Sequence, residues 1–88
     1  MNERIMERIF KALANRRRLI VLTFLRKHKK ASVGEIAENL KLSFRSTSKH
    51  LNILADIGIV EKEQLDKYVF YKLSDDFSKN IRLILSQL

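Results

Sequence analysis

Apolar side chains recur along the first half of the chain at helical spacing. Ile5, Met6, Ile9, Phe10 and Leu13 fall at i, i+1, i+4, i+5 and i+8, one stripe of a first helix. Asn15 is placed to cap a second helix, RRRLIVLTFLRKH, in which Leu19, Ile20, Val21, Leu22, Phe24 and Leu25 leave only one polar side. Such a helix belongs in the middle of a fold. The cations from Arg26 to Lys30 suit its C-terminal end, where the helix dipole is negative. Ser32 and Glu35 then have the S-x-x-E spacing of a capping box, ahead of Val33, Ile36, Ala37 and Leu40. Lys41 and Leu42 lead straight to Ser43, another N-cap, and to a fourth helix with Thr47, Leu51, Leu54 and Ala55 facing inward. Gly58 stands where that helix stops in the left-handed conformation.

After Gly58 the period changes. Ile59 to Leu65 and Tyr68 to Leu73 are rich in β-branched and aromatic residues, and Asp66-Lys67 separates them, which reads as a two-stranded hairpin. Ser74, Asp75 and Asp76 supply a cap and negative charge for a fifth helix carrying Phe77, Ile81, Ile84, Leu85 and Leu88. Two short capped helices joined by a sharp corner outline a helix-turn-helix, and the hairpin behind them makes it winged. The predicted fold is mainly α (α+β): four helices, a hairpin and a fifth helix in one domain over residues 1–88.

Charge narrows the partners. The 88 residues hold 18 Lys+Arg against 10 Asp+Glu, a net of +8. Residues 1–50 carry 13 of those basic side chains and 4 of the acidic ones. A surface so basic in one half draws polyanions, nucleic acid first and anionic membrane second. No apolar run approaches the roughly 20 residues that a bilayer needs, and the charges in MNERIMERIF are wrong for a signal peptide. The absence of cysteine fits an intracellular setting. It also leaves stability to packing or to association with another chain. Catalysis is not expected: there is no Cys nucleophile, and neither His28 nor His50 has a Ser or Asp partner at a motif spacing.

The opening of the fourth helix, SFRSTSKHL, holds four Ser or Thr among nine residues, a poor choice for helix propensity alone. With Thr47, Leu51 and Leu54 inward, the opposite face is Phe44, Arg45, Ser48, Lys49 and Asn52. Arg45 and Lys49 suit guanine O6 and N7, Ser48 a base edge or phosphate, and Phe44 a thymine methyl. Ser46 belongs at the phosphates, and the capping Ser43 counts with the DNA-binding residues. His50, beside the inward stripe, reads first as a packing or hydrogen-bonding residue and second as a phosphate contact. In the hairpin, Lys62, Lys67 and Lys72 alternate with Glu61, Glu63 and Asp66, so its net charge is near zero. Lys67 at the tip and the adjacent Tyr68 are its DNA candidates, while Val69, Tyr71 and Leu73 read as core. Arg16 and Arg17 are further phosphate candidates, and Lys27, Lys29 and Lys30 read as a solvated loop. A protein-interaction module is the rival reading, against which stand Arg45, Ser48 and Lys49, since interface cores are depleted in Lys and Ser.

Both terminal helices present apolar stripes that a domain of this size struggles to cover. Ile5, Met6, Ile9 and Phe10, with Phe77, Ile81, Ile84, Leu85 and Leu88, are therefore expected to pair across a two-fold axis. A homodimer so built sets two recognition helices about 34 Å apart, one turn of double-stranded DNA, and reads a palindrome.

FKALANRRRLIVLTFL, VGEIAENLKLS, TSKHLNILADIGIV and VFYKLSD together resemble the ArsR-type family of bacterial and archaeal transcriptional repressors, over roughly Phe10 to Asp75. The most specific string is LS-x4-S-x-HL-x2-L-x3-G-x-V, here Leu42, Ser43, Ser48, His50, Leu51, Leu54, Gly58 and Val60. The resemblance implies a cytoplasmic dimeric repressor that lays the fourth helix in the major groove and reaches the flanking backbone with its wing. It also implies a structural role for Arg18, paired with a nearby acid. Three departures carry weight. Lys41 stands where the family has Gly, so that either a strained turn is kept or the turn differs. Asn15-Arg16 replaces the usual Asp-Pro. Ala31-Ser32-Val33-Gly34-Glu35 replaces the Cys-x-Cys of the metal sensors, and Asp75 to Leu88 contains no His for the family's second metal site. Without thiolates a soft-metal site of that kind cannot form, so no metal or other cofactor is expected and the effector stays unidentified.

Overall fold

Each helix starts where a short polar side chain caps it. In the computed structural model, which describes residues 2–76 and Lys79, α1 (Glu3–Leu13) begins with Asn2 Oδ1 accepting the Ile5 N–H. α2 (Arg16–His28) begins with Asn15 Oδ1 accepting the Arg18 N–H, so the cap survives without the Asp-Pro pair. α3 (Val33–Leu40) has the full capping box. Ser32 Oγ accepts the Glu35 N–H at 3.1 Å, and Glu35 Oε1 accepts the Ser32 N–H at 3.0 Å. α4 (Phe44–Asp56) is capped by Ser43, whose Oγ accepts the Ser46 N–H at 3.0 Å. Such caps contribute about 1 kcal/mol each by satisfying donors that a helix end leaves free. The expected fifth helix, with Phe77, Ile81, Ile84, Leu85 and Leu88, lies outside the described residues.

The corners after α3 and α4 share one hydrogen-bond pattern. Beyond α4, Ile59 N–H donates to the Leu54 carbonyl and Gly58 N–H to the Ala55 carbonyl, with Gly58 at φ 77°. Beyond α3, Leu42 N–H donates to the Ala37 carbonyl and Lys41 N–H to the Glu38 carbonyl, with Lys41 at φ 54° and ψ 43°. This paired closure normally has glycine in the left-handed position. Of the two alternatives for Lys41, the strained turn is the one kept.

The hairpin of β2 (Val60–Leu65) and β3 (Tyr68–Leu73) turns at Asp66-Lys67, with Asp66 at φ 58°. The structure adds an element that periodicity did not predict. β1 (Lys30–Ser32) pairs antiparallel with β3, giving a three-stranded sheet in the order β1-β3-β2. Lys30 is thus not a loop residue: it faces Lys72 across the ladder, and its Nζ lies 3.5 Å from Glu63 Oε2 and 5.6 Å from the Phe70 ring centre.

Helices and sheet close on one core of Ile9, Val21, Leu22, Leu25, Ala31, Val33, Ile36, Leu51, Leu54, Ile59, Val60 and Tyr71. α2 packs against every other helix of the described residues and against β1 and β3, the central place that its composition demanded. Its apolar coverage is not fully used, however, since Leu19 and Ile20 are 48% and 42% exposed. On α1 the stripe divides. Ile9 is a core residue and Met6 packs against the core, whereas Ile5 and Phe10 are exposed.

Candidate nucleic-acid interface

α4 has one side fixed and one side free. Thr47, Leu51 and Leu54 have no exposed surface, and the Thr47 hydroxyl is satisfied inside the helix by donating to the Ser43 carbonyl at 2.9 Å. A buried polar atom so paired costs little. The helix is therefore held by its inward face, and its weak formers need not stabilise it alone. The other side forms an open groove lined by Phe44, Arg45, Ser48, Lys49, Asn52, Ile53 and Asp56. Phe44 is 63% exposed, and Arg45, Lys49 and Asn52 are exposed as well. Neither Arg45 nor Lys49 has an ion-pair partner among the described residues.

Two of the candidates already have intramolecular work. Ser43 Oγ is occupied as the helix cap, and Ser46 supplies the N–H it accepts. His50 is half-buried on the flank of α4 that meets α2. Its Nδ1 accepts the Arg18 Nε–H at 3.3 Å, while Arg18 Nη1–H donates to the Ala12 carbonyl at 3.2 Å. Arg18 is structural, but its partners are an imidazole and a backbone carbonyl rather than an acid. Burial first, then the charges of Arg18, Arg17 and Lys49, holds His50 below the usual imidazole range. His28 is exposed and stacks on Phe24, with ring centres 4.2 Å apart.

Strand register sorts the wing's charges by face. Glu61, Glu63 and Leu65 stand opposite Lys72, Phe70 and Tyr68 on the outer face. There Lys72 Nζ lies 3.7 Å from Glu61 Oε2, and Lys30 pairs with Glu63. These half-exposed pairs add little stability, but they neutralise both glutamates. The other face begins with buried Val60 and continues with exposed Lys62 and Gln64, opposite Tyr71 and Val69. The Tyr71 hydroxyl on this face lies 3.5 Å from Asn52 Oδ1, so the face meets the free edge of α4. Tyr71 is buried, and Val69 and Leu73 pack against the core as anticipated. Lys67 and Tyr68 are exposed at the tip, with Lys67 Nζ 5.7 Å from the Tyr68 ring centre.

Lys62 is the candidate that sequence reasoning did not single out. Its signal was present, because residues 60, 62 and 64 share a face and Val60 is apolar. Summing the hairpin's charges without separating its faces hid that signal.

Among the described residues no group of three or more His, Cys, Asp or Glu could hold a metal ion, and no helix is long and apolar enough to cross a membrane.

Comparison with known proteins agrees with this arrangement. The sequence model for bacterial regulatory proteins of the arsR family matches residues 15–62. The transcriptional activator HlyU of Vibrio cholerae is 38% identical over 80 residues, covering 91% of this chain and 73% of HlyU. Its solved structure superposes with a TM-score of 0.77 at 34% identity, covering 96% of this chain and 94% of that one. The arsenical resistance operon repressor of Bacillus subtilis is 33% identical over 70 residues, 80% of this chain and 67% of the repressor. The homodimeric winged helix-turn-helix DNA-binding domain of Mb0332 from Mycobacterium bovis gives a TM-score of 0.79 at 28% identity, over 93% of this chain and 76% of that one. With α3 and α4 as its helix-turn-helix and β2–β3 as its wing, the chain belongs to the arsR family of transcriptional regulators.

Proposed function

We propose that the chain is a sequence-specific DNA-binding repressor that acts in the cytoplasm as a homodimer on a palindromic operator, without the family's cysteine metal site. The observation that carries this reading is the free face of α4, where Arg45 and Lys49 project beside Ser48, Asn52 and Phe44 from a helix anchored by fully buried side chains. Arg45 and Lys49 are the donors to guanine edges, Ser48 and Asn52 the adaptable polar contacts, and Phe44 the apolar one. Lys62, Lys67 and Tyr68 meet the flanking backbone from the wing. Ser43, Ser46 and His50 line the phosphate side of the helix.

Dimerisation follows from exposed Ile5 and Phe10 on α1, with the apolar residues from Phe77 to Leu88 as their partners across the two-fold axis. Ile9 belongs to the protomer's own core, and Met6 only borders it. Mb0332 is a homodimer, which supports the same assembly here. Repression requires only that the dimer occupy an operator, whereas activation requires a further surface for the transcription machinery. The B. subtilis relative is a repressor and HlyU an activator, so the sign of regulation rests on that economy. With no cysteine in the sequence, relief of repression cannot use thiolate-bound metal.

The test is a titration against duplexes selected from a random pool and against a scrambled control, at several salt concentrations. Specific affinity should exceed that for the scrambled duplex by at least about 10³-fold and fall steeply with salt. Exchanging Arg45 and Lys49 for Ala should abolish that ratio and leave the dimer intact. Equal affinity for all duplexes would reduce the protein to a generic polyanion binder, and no duplex binding would make it a protein-interaction module.

A further inference from the structure

Arg18 and His50 join three elements that the DNA reading treats separately. Arg18 projects from the first turn of α2, donates Nη1–H to the Ala12 carbonyl at the end of α1, and donates Nε–H to His50 Nδ1 on α4. An arginine does not deprotonate in a protein, so it acts here only as donor. For His50 Nδ1 to accept, that nitrogen must carry a lone pair, and the single ring proton must sit on Nε2. Protonating His50 would set two donors against each other at 3.3 Å.

The surroundings reinforce the neutral ring. Arg17 and Arg18 from α2 and Lys49 from α4 all bear on it. Alongside, Arg8 and Lys11 of α1 and Asp56 of α4 line the cleft that Arg18 shares with Ala12, Ile53 and Ile57. Asp56 is the one acid in that group, and neither it nor any other acid forms an ion pair with Arg18 among the described residues.

We propose that Arg18 is a positioning residue for DNA reading: its fork holds His50 as the Nε2–H tautomer and locks the recognition helix to the α1–α2 unit. The inference rests on the DNA-binding role of α4, yet its first half concerns the free protein alone. A lysine does not replace the fork, because an ammonium is a point donor without the planar pair of N–H groups.

Two measurements test it. In the whole 88-residue chain, ¹⁵N–¹H correlation of the imidazole, assigned with a His28→Gln variant, should show His50 protonated on Nε2 near neutral pH. Arg18→Met should convert this to a mixture of tautomers with a raised titration midpoint. Specific duplex affinity should fall by about three- to tenfold, the worth of one or two lost hydrogen bonds, and Arg18→Lys should not restore it. If Arg18→Met proves poorly folded, the wild-type ring tests the tautomer and Arg18→Lys carries the affinity comparison, with wild-type affinity in that variant overturning the positioning role. An Nδ1–H tautomer or a His50 cation at neutral pH overturns the proposal. So does an Arg18→Met protein whose ring and specific affinity match the wild type. Failure of the wild type to bind any duplex, with His50 on the Nε2–H tautomer, would sink the DNA reading and leave the tautomer assignment standing.

Discussion

Replacing Lys41 by Gly should stabilise the protein although it removes a side chain. Lys41 closes α3 at φ 54° and ψ 43°, with the same pair of hydrogen bonds that Gly58 makes after α4. A residue with a Cβ in that region costs about 1–2 kcal/mol, because the Cβ crowds the following carbonyl. Glycine removes the cost but gives back about 0.5–1 kcal/mol through the greater freedom of the unfolded chain. The Lys41 side chain is exposed, so little packing is lost. The net gain centres on about 0.75 kcal/mol, which for a domain of this size raises the melting temperature by about 3–6 °C. Thermal and denaturant unfolding at one fixed protein concentration would read it, since the proposed dimer would make stability concentration-dependent. Lys41→Asn should gain less, and Lys41→Ala, which keeps the Cβ, should gain nothing. The corner sets the angle at which α4 leaves α3, so the Gly variant should also keep the wild-type preference among duplexes. A Gly variant that melts at or below the wild type would refute the strain. A gain shared equally by the Ala variant would place its origin in the lysine's charge instead.

Ser43→Ala should cost about 1 kcal/mol in denaturant unfolding by uncapping α4, whereas Ser43→Asp should keep the cap and weaken duplex binding by placing an anion at the phosphates. Lys62→Ala should lower the salt slope of duplex binding by about one ion, as Lys67→Ala should, and Lys72→Ala should not, because Lys72 sits on the outer face with Glu61. His50 is held below its unfolded value of about 6.5. The unfolded chain therefore binds its proton first, and stability present above that pH should be lost as pH falls through the folded value. Urea midpoints measured across that range should show the loss, and His50→Gln should flatten it. Leu54→Ala, at a site with no exposed surface, should cost about 2–5 kcal/mol, a large share of a small domain's stability, read as a lower urea midpoint.

Features specified by neighbours in the sequence were legible from it. The caps at Asn15, Ser32 and Ser43 and the turn at Asp66-Lys67 depend on contacts within a few positions, and the inward set Thr47, Leu51 and Leu54 shows in its helical spacing. What escaped depends on elements far apart in the chain. β1 spans only Lys30–Ser32, too short for any period to show, and it exists because β3 offers an open edge beside it. Read locally, the same residues are only the basic tail of α2. Arg18 and His50 are 32 positions apart, and nothing in either neighbourhood announces the other.

The wing shows that the limit is not always distance. Its alternation was visible, yet a sum of charges over the hairpin gave nearly zero and left only Lys67 and Tyr68 at the tip as DNA candidates. Register turns that sum into two surfaces. On one, Glu61 and Glu63 are answered by Lys72 and Lys30; on the other, Lys62 is exposed with no ion-pair partner among the described residues. A polyanion approaching the free face of α4 meets the second surface and not the first, because Tyr71 ties that side of the sheet to Asn52. The field at the groove is therefore more positive than the hairpin's composition implies. Since screened interactions fade beyond about 8–10 Å at physiological salt, that local sign, rather than the net charge of the wing, decides whether the wing helps the recognition helix hold a duplex.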